Sequence, residues 1–301
     1  MYIKIIFTIL IFGIITVIPI TYGQLVLGPE GKQESIEVEI NSNGEIFAKH
    51  IVSSSNMPTS IALFEGEVSN LIVTDDLGEE INSGIANDAD GNITVMIFPS
   101  KEITIIEYNL QKMNLENNLF NSKFVYDEKF SIIFDESIEL ILINENLIFL
   151  ENKKGISVNG GGIVEIKFYK NESKTIEKVV WEENEFDVEI ISDSNIQSFY
   201  FNQPEKSISF QLDDENKFIT ISMSEELLGG PYVILLNDEQ IKYSKYIRDG
   251  NIVSLNIKPE TPGQITIIGT TVIPEFSMFI PLIMGFMIIL MVPLMRKFTL
   301  H

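Results

Sequence analysis

One histidine and a run of serines offer the residue types of a hydrolase. His50 lies three residues before Ser53–Ser55. A nucleophile and its base must meet in space, and catalytic triads draw their members from separated elements, so proximity in sequence carries little weight. The pattern therefore favours a structural histidine in a strand over catalysis.

Clustered carboxylates are the second group of residues that could take part in catalysis. A pair of carboxylates at a defined separation can hydrolyse a glycosidic bond. With 43 acids in the chain, however, two neighbours in sequence say nothing about that separation. Three of the acids also alternate with apolar residues, as on the solvated face of a strand. The acids of this cluster are Glu182, Glu183, Glu185, Asp187 and Glu189.

The segment Asn87–Asn92 resembles part of a calcium-binding loop. An EF-hand loop needs ligands at positions 1, 3, 5 and 12 around a glycine at position 6. Placing Gly91 at position 6 puts Ala86 at position 1 and Ile97 at position 12, so two ligands are missing. Asp-Gly is a strong hairpin signal. We therefore expect a turn between Ile85 and Ile93, and no metal site.

Three consecutive glycines, Gly160–Gly162, are the only motif that suggests a phosphate-binding loop. Such a loop needs a helix directly after it, whose N-terminus receives the phosphate. Strand-like sequence follows here instead. The glycines predict a tight or flexible connection between strands, and we expect no bound cofactor.

Composition narrows the functional classes further. The chain of 301 residues has 43 Asp and Glu against 21 Lys and Arg, a formal charge of −22, two His and no Cys. This charge excludes an ordinary nucleic-acid binder, and the lack of Cys excludes disulfides, thiolate catalysis and Cys-ligated zinc. We expect no catalytic residues and only diffuse binding of divalent cations, because no tight metal motif is present.

The elements that position these residues are predicted to be strands. Apolar and polar residues alternate with a period of two, as in Ile36, Val38 and Ile40 against Glu37 and Glu39. Many short strands separated by turn signals predict an all-β chain with two antiparallel, immunoglobulin-like β-sandwich domains. The predicted strands are Ser35–Ile40, Ile93–Phe98, Ile103–Tyr108, Phe130–Phe134, Ile138–Ile143, Ile163–Tyr169, Phe186–Ile190, Ile208–Leu212, Phe218–Met223, Tyr232–Leu236, Ile252–Ile257 and Ile265–Thr271.

The N-terminal end has the order of a secretory signal peptide. Lys4 precedes an apolar run from Ile5 to Ile18, and small residues follow before Gln24. This order predicts a signal helix in residues 1–23, with cleavage between Gly23 and Gln24. An uncleaved anchor is the alternative, although the run is shorter than the roughly 20 residues of a membrane span.

The C-terminal end predicts one transmembrane helix. Met278–Met295 carries no charge and is followed at once by Arg296 and Lys297. Cations directly after a span favour a cytoplasmic location for that end. Together with the signal peptide, this predicts a single-pass protein whose body lies outside the cell membrane and whose short C-terminal tail is cytoplasmic.

A sorting signal is suggested just before this span. Pro274, Glu275 and Phe276, then the apolar helix, then the basic tail of Arg296 and Lys297, resemble the PEF-type C-terminal signals of archaeal surface proteins. Many such signals have Gly after the Phe, where Ser277 stands here. The resemblance implies an archaeosortase-like processing enzyme as a partner. Residues 274–301 would form the signal, and processing would remove the helix, whereas a plain anchor would keep it.

A domain boundary is predicted in the acidic stretch after Trp181, giving domains 24–182 and 183–273. In the second domain, Ser224 is expected to cap a one-turn helix that ends at Gly229. The stretch from Glu226 to Tyr232 and the final strand, within about Phe186–Phe276, resemble a module of surface proteins from ammonia-oxidising archaea. That family implies a cell-surface β module and brings no catalytic residues.

Two sequons, at Asn92 and Asn171, are candidate N-glycosylation sites on an exported body. Together these patterns predict a non-enzymatic, membrane-anchored protein of the cell surface, with a structural, adhesion or envelope-assembly role. S-layer or other envelope proteins would be its partners. The alternative is an extracellular carboxylate-dependent hydrolase or a solute-binding module, for which a deep pocket with converging acids and aromatics would be expected.

Overall fold

The computed structural model describes residues 28–87, 91–151, 153–181, 183–248 and 250–271. The predicted signal peptide, the sorting signal and the span 278–295 lie outside these residues. Within them, no helix is long and apolar enough to cross a membrane.

Short strands make up most of this part of the chain. The first are β1 (Gln33–Ile40), β2 (Ile46–Val52), β3 (Thr59–Ala62), β4 (Val68–Asp75), β5 (Ser83–Asn87), β6 (Ile93–Ile97), β7 (Thr104–Leu110), β8 (Asn114–Glu116), β9 (Leu119–Tyr126), β10 (Phe130–Phe134), β11 (Leu140–Ile143) and β12 (Asn146–Phe149). The others are β13 (Gly155–Val158), β14 (Gly162–Tyr169), β15 (Lys174–Trp181), β16 (Asn184–Ser192), β17 (Ile196–Asn202), β18 (Ser207–Leu212), β19 (Ile219–Ser224), β20 (Gly229–Leu236), β21 (Glu239–Gln240), β22 (Ser244–Arg248), β23 (Ile252–Ile257) and β24 (Gly263–Thr271). The all-β prediction is confirmed.

The strands form five sheets. Sheet I has the order β13-β10-β1-β2-β7-β4, sheet II β12-β11-β14-β9-β8, and sheet III β15-β16-β19-β23-β22. Sheet IV has the order β17-β18-β24-β20-β21, and sheet V β3-β6-β5. Pairing is largely antiparallel, as predicted, but β1 and β10 pair in parallel, with Glu37 opposite Ser131. A parallel pair needs a long connection between its strands, and the chain from β1 to β10 is long enough to provide one.

The described residues group into two compact units. Of these residues, the first unit contains those within 28–35, 49–66 and 70–108, and the second contains those within 36–48, 67–69 and 109–271. The predicted boundary at residue 182 falls in the hairpin between β15 and β16, whose register runs from Lys174 opposite Ile191 to Trp181 opposite Asn184. Sheet III therefore begins before that boundary, and the division into domains 24–182 and 183–273 stays a prediction.

Sheets III and IV share one apolar core. Alternate residues of their strands are buried together, among them Val188, Ile221 and Leu255 from sheet III and Phe210 and Ile267 from sheet IV. A second cluster joins strands of sheet II to β16, through Leu140, Leu142, Phe149, Tyr169, Ile191 and Phe218. This burial of one face of each sheet is β-sandwich-like and explains the period-two pattern, because the other face meets water.

The Ser224 segment differs from the predicted helical turn. The N–H groups of Leu227 and Leu228 donate to the Ser224 carbonyl at 3.1 and 3.3 Å, and the Glu226 N–H donates to the Ser224 hydroxyl at 3.1 Å. Ser224 thus caps a hydrogen-bonded turn and no helix follows. The reason is that Gly229, opposite Thr271, already pairs in sheet IV.

Candidate functional site

His50 lies on β2, is buried, and takes part in a hydrogen-bonded network within the first unit. Its Nδ1 lies 2.6 Å from Oε1 of Gln33 on β1, and its Nε2 lies 2.8 Å from the Tyr108 hydroxyl on β7. The Tyr108 oxygen also accepts the backbone N–H of Phe64 at 3.1 Å. Because the amide oxygen of Gln33 can only accept, Nδ1 of His50 carries a hydrogen. Burial keeps the ring neutral, so Nε2 is left to accept from the Tyr108 hydroxyl.

The nearby serines take other partners. The Ser53 hydroxyl donates to Glu34 at 3.0 Å, and the Ser55 hydroxyl donates to the Met57 carbonyl at 2.9 Å. Burial lowers the pKa of His50 to about 4. An imidazole that is enclosed and held neutral in this way packs and orients three neighbouring strands, and the geometry supports the structural role predicted for it.

Three of the acids after Trp181, Glu185, Asp187 and Glu189, lie on the outer face of β16; Glu183 precedes the strand, and Glu182 lies outside the described residues. Glu185 and Asp187 are exposed, whereas Val188 and Ile190 on the same strand are buried. Lys178 of β15 forms an ion pair with Glu185, and Lys174 binds Glu189 at 2.7 Å. These carboxylates therefore lie in a row along one strand, joined to lysines of the neighbouring strand.

The Asn87–Asn92 segment connects paired strands. Asn87 of β5 lies opposite Ile93 of β6 and Ile85 lies opposite Val95, so the strands on either side of the predicted turn pair as a hairpin. Residues 88–90 lie outside the described part. Asn92, the first sequon, is half-buried directly before β6.

The second sequon lies in the connection from β14 to β15, where Asn171 is exposed. The side chain of Asn118 holds its backbone: Oδ1 accepts the Asn171 N–H at 3.1 Å and Nδ2 donates to the Asn171 carbonyl at 2.6 Å. An exposed side chain on a fixed backbone is compatible with a glycan at this position.

A group of three acids was not anticipated from the sequence. Carboxylate oxygens of Asp75, Asp76 and Glu102, all in the first unit, lie within 4.8 Å of one another. Asp75 is buried and accepts the N–H groups of Leu77 and Glu79 at 2.9 and 2.8 Å, which shapes the turn after β4. Asp75-Asp76 is visible in the sequence, but its proximity to Glu102 depends on the fold.

Calcium binding to this chain is expected to be diffuse, with millimolar dissociation constants, because the acids are widely distributed. We expect a calorimetric titration of the full chain to show no stoichiometric step, and the double variant Asp76→Asn, Glu102→Gln to give the same heats. A single submicromolar event that this variant abolishes would contradict the expectation and place the ion at the three-acid group.

One groove in the second unit has a volume of about 610 Å³. Its polar residues include Glu39, Glu45, Asp135 and Lys112. The side chain of Asn41 donates to Glu45 at 2.7 Å. Hydrogen bonds from the hydroxyl and N–H of Ser137 lower the pKa of Asp135, so this carboxyl stays ionised and is ill suited to act as a general acid. The groove can offer acceptors to a polar solute.

A smaller pocket of about 190 Å³ gathers three lysines, Lys167, Lys217 and Lys258. The ammonium groups of Lys167 and Lys258 lie 5.5 and 5.0 Å from the centre of the Phe218 ring. Lys167 also binds Glu165 at 2.9 Å, and Lys258 lies 3.7 Å from Glu145. Two of the three cations are thus paired within the protein, so the pocket holds little net positive charge.

Gly160 and Gly161 lie in the tight connection from β13 to β14, and Gly162 is the first residue of β14. The backbone of Gly160 packs against the carbonyls of Asp127 and Glu128, and Gly161 has a φ of +83°. Strand β14 follows at once. Gly160 and Gly161 turn the chain between strands.

Comparisons of this chain with protein-family models, curated proteins and solved structures find no match.

Proposed function

We propose that this chain is an exported, membrane-anchored cell-surface protein of archaeal type, with a structural, adhesion or envelope-assembly role and no enzymatic activity. Its body comprises two immunoglobulin-like β-sandwich domains on the outer face of the cell membrane. It remains single-pass, with a cytoplasmic C-terminal tail, unless an archaeosortase-like enzyme removes the helix. S-layer or other envelope proteins are its partners.

The arrangement of Glu185, Asp187 and Glu189 on β16 carries this proposal. Glycoside hydrolysis needs two carboxylates that face each other across a substrate. Glu185 and Glu189 instead stand on one exposed strand face and pair with Lys178 and Lys174. His50, the described residue best suited to act as a general base, is buried in a network with Tyr108. These placements support a scaffold more than a hydrolase.

Native surface material tests the predicted processing. We expect its N-terminal peptide to begin at Gln24, because the signal peptide is removed, and we expect no peptide that continues from Ile273 through Met295. Recovery of intact peptides across that junction would exclude cleavage at Pro274–Phe276 and leave a permanent anchor. Cleavage of the body by a protease added to intact cells reports its outward location separately, and full protection would contradict export.

Crosslinking in native membranes tests the role itself. A scaffold should be recovered with lattice or other envelope proteins, whereas recovery without them, together with glycan hydrolysis that is lost in Glu185→Gln, would support the hydrolase. The groove beside Glu39 and Asp135 favours a second candidate function, solute binding. Saturable binding of a polar solute that Glu39→Gln weakens would support it.

A further inference from the structure

We propose that two copies of this chain associate through strand β15, which pairs antiparallel with β15 of the second copy and joins the two copies of sheet III. The proposal goes beyond the proposed function and does not rest on it. It follows from three features of β15: a backbone edge that no other described strand pairs with, exposed aliphatic side chains and the symmetry of their spacing.

Strand β15 lies at one edge of sheet III. Strand β15 ends the order of sheet III and pairs along its whole length with β16. The N–H of Ser192 donates to the carbonyl of Ser173 at 3.0 Å, next to the pair Lys174–Ile191. Because hydrogen-bonded and non-hydrogen-bonded pairs alternate in antiparallel strands, Lys174, Ile176, Lys178 and Val180 direct their backbone N–H and C=O groups away from β16.

The side chains of these same residues form the outer face of the strand. Ile176 is 54% exposed and Val180 is 69% exposed, although both are aliphatic. Val179, between them in sequence, points the other way and is buried in the core of sheets III and IV. An edge strand of eight residues with exposed aliphatic side chains is a template for another strand.

Lysines on an edge strand normally discourage such pairing. Here Lys174 and Lys178 form ion pairs with Glu189 and Glu185 on the neighbouring strand of their own sheet. Their charges are thereby compensated on the side away from the open edge.

The spacing of the aliphatic residues selects one register. A two-fold axis at Lys178 places Ile176 opposite the partner's Val180, and Val180 opposite the partner's Ile176. Residues opposite each other share a sheet face, and all three positions have outward backbone groups, so hydrogen bonds and aliphatic contacts form together. A shift of the axis by one residue sets Ile176 against the partner's Lys178 and loses both aliphatic pairs.

Single-cysteine crosslinking of the full chain in detergent tests this register, because the chain has no Cys of its own. Opposed Cα atoms of a hydrogen-bonded pair lie about 5.5 Å apart, within disulfide range. Mild oxidation of Lys178→Cys should give a covalent dimer. The matched control is Ile247→Cys, an exposed position on β22 at the opposite edge of sheet III, which should give none.

Light scattering provides the second readout on protein without cysteine. We expect a dimer whose dissociation constant rises about tenfold or more in Val180→Lys, a change equal to about 1.4 kcal/mol, and is unchanged in Ile247→Lys. A monomer at all concentrations, equal crosslinking at positions 178 and 247, or a dimer that Val180→Lys leaves intact would each overturn the proposal. Circular dichroism of each variant confirms that the strands are retained.

Discussion

Acidification from about pH 7 to 4.5 is expected to weaken the first unit by roughly 2.5 kcal/mol through His50 alone. The pKa of this histidine is about 4 in the folded chain, because burial disfavours the charged ring, against an ordinary value near 6.5 when unfolded. Between these two values the unfolded chain binds a proton that the folded chain does not. The contribution of neutral His50 is therefore fully present above the unfolded pKa and is lost as the pH falls below it.

The network explains why the folded state resists this proton. Nε2 of His50 accepts from the Tyr108 hydroxyl, whose oxygen already accepts the Phe64 N–H. A proton on Nε2 would turn two donors toward each other, and the tyrosine would have to redirect its hydrogen in a buried site. Protonation of His50 is therefore unfavourable for two reasons: the charged ring is buried away from water, and its hydrogen bond with Tyr108 is disrupted.

The measurement compares wild type with His50→Gln, which lacks the titrating ring. Urea unfolding is followed by circular dichroism, because the single tryptophan, Trp181, lies in the other unit. The acids and His301 are common to both proteins, so the difference between their stability curves isolates His50. We expect this difference to change by roughly 2.5 kcal/mol over the interval. Parallel curves between pH 7 and 4.5 would contradict the prediction.

Gly160→Ala is expected to destabilise the second unit by about 3 kcal/mol. A Cβ at this position would lie 2.0 Å from the carbonyl oxygen of Asp127 and 2.4 Å from that of Glu128. Both atoms belong to the backbone between β9 and β10, so neither can rotate away as a side chain would. The connection must shift, and β13 and β14 on either side of it would lose their register or their packing.

The neighbouring glycines supply matched controls. A Cβ on Gly162 would meet nothing within 4 Å, and its φ lies outside the left-handed region, so Gly162→Ala should change stability by less than about 0.5 kcal/mol. Gly161 has open space but a φ of +83°, so Gly161→Ala should cost about 1 kcal/mol from strain alone. Trp181 fluorescence during urea unfolding reports all three variants. An equal loss at positions 160 and 162 would show that the contact with Asp127 is unimportant.

Local pattern was sufficient to find many of the strands. Phe130–Phe134 and Ile252–Ile257 match β10 and β23 at both ends, because each contains an apolar residue at every second position and turn residues flank both. Strands such as β2 and β15 were missed. In β15, exposed Ile176 and Val180 interrupt the alternation that a half-buried strand shows, since these residues lie on the water-facing side of an edge.

The sequence by itself determined the all-β class, the position of the β5–β6 hairpin and the outward placement of the acids on β16, because each depends on residues close together in the chain. Only the tertiary structure decided which strands pair, including the parallel pair of β1 and β10. It also brought His50 to Tyr108 and Asp75 to Glu102. Such contacts join residues dozens of positions apart, and their partners are selected by the packing of whole sheets, which no local spacing encodes.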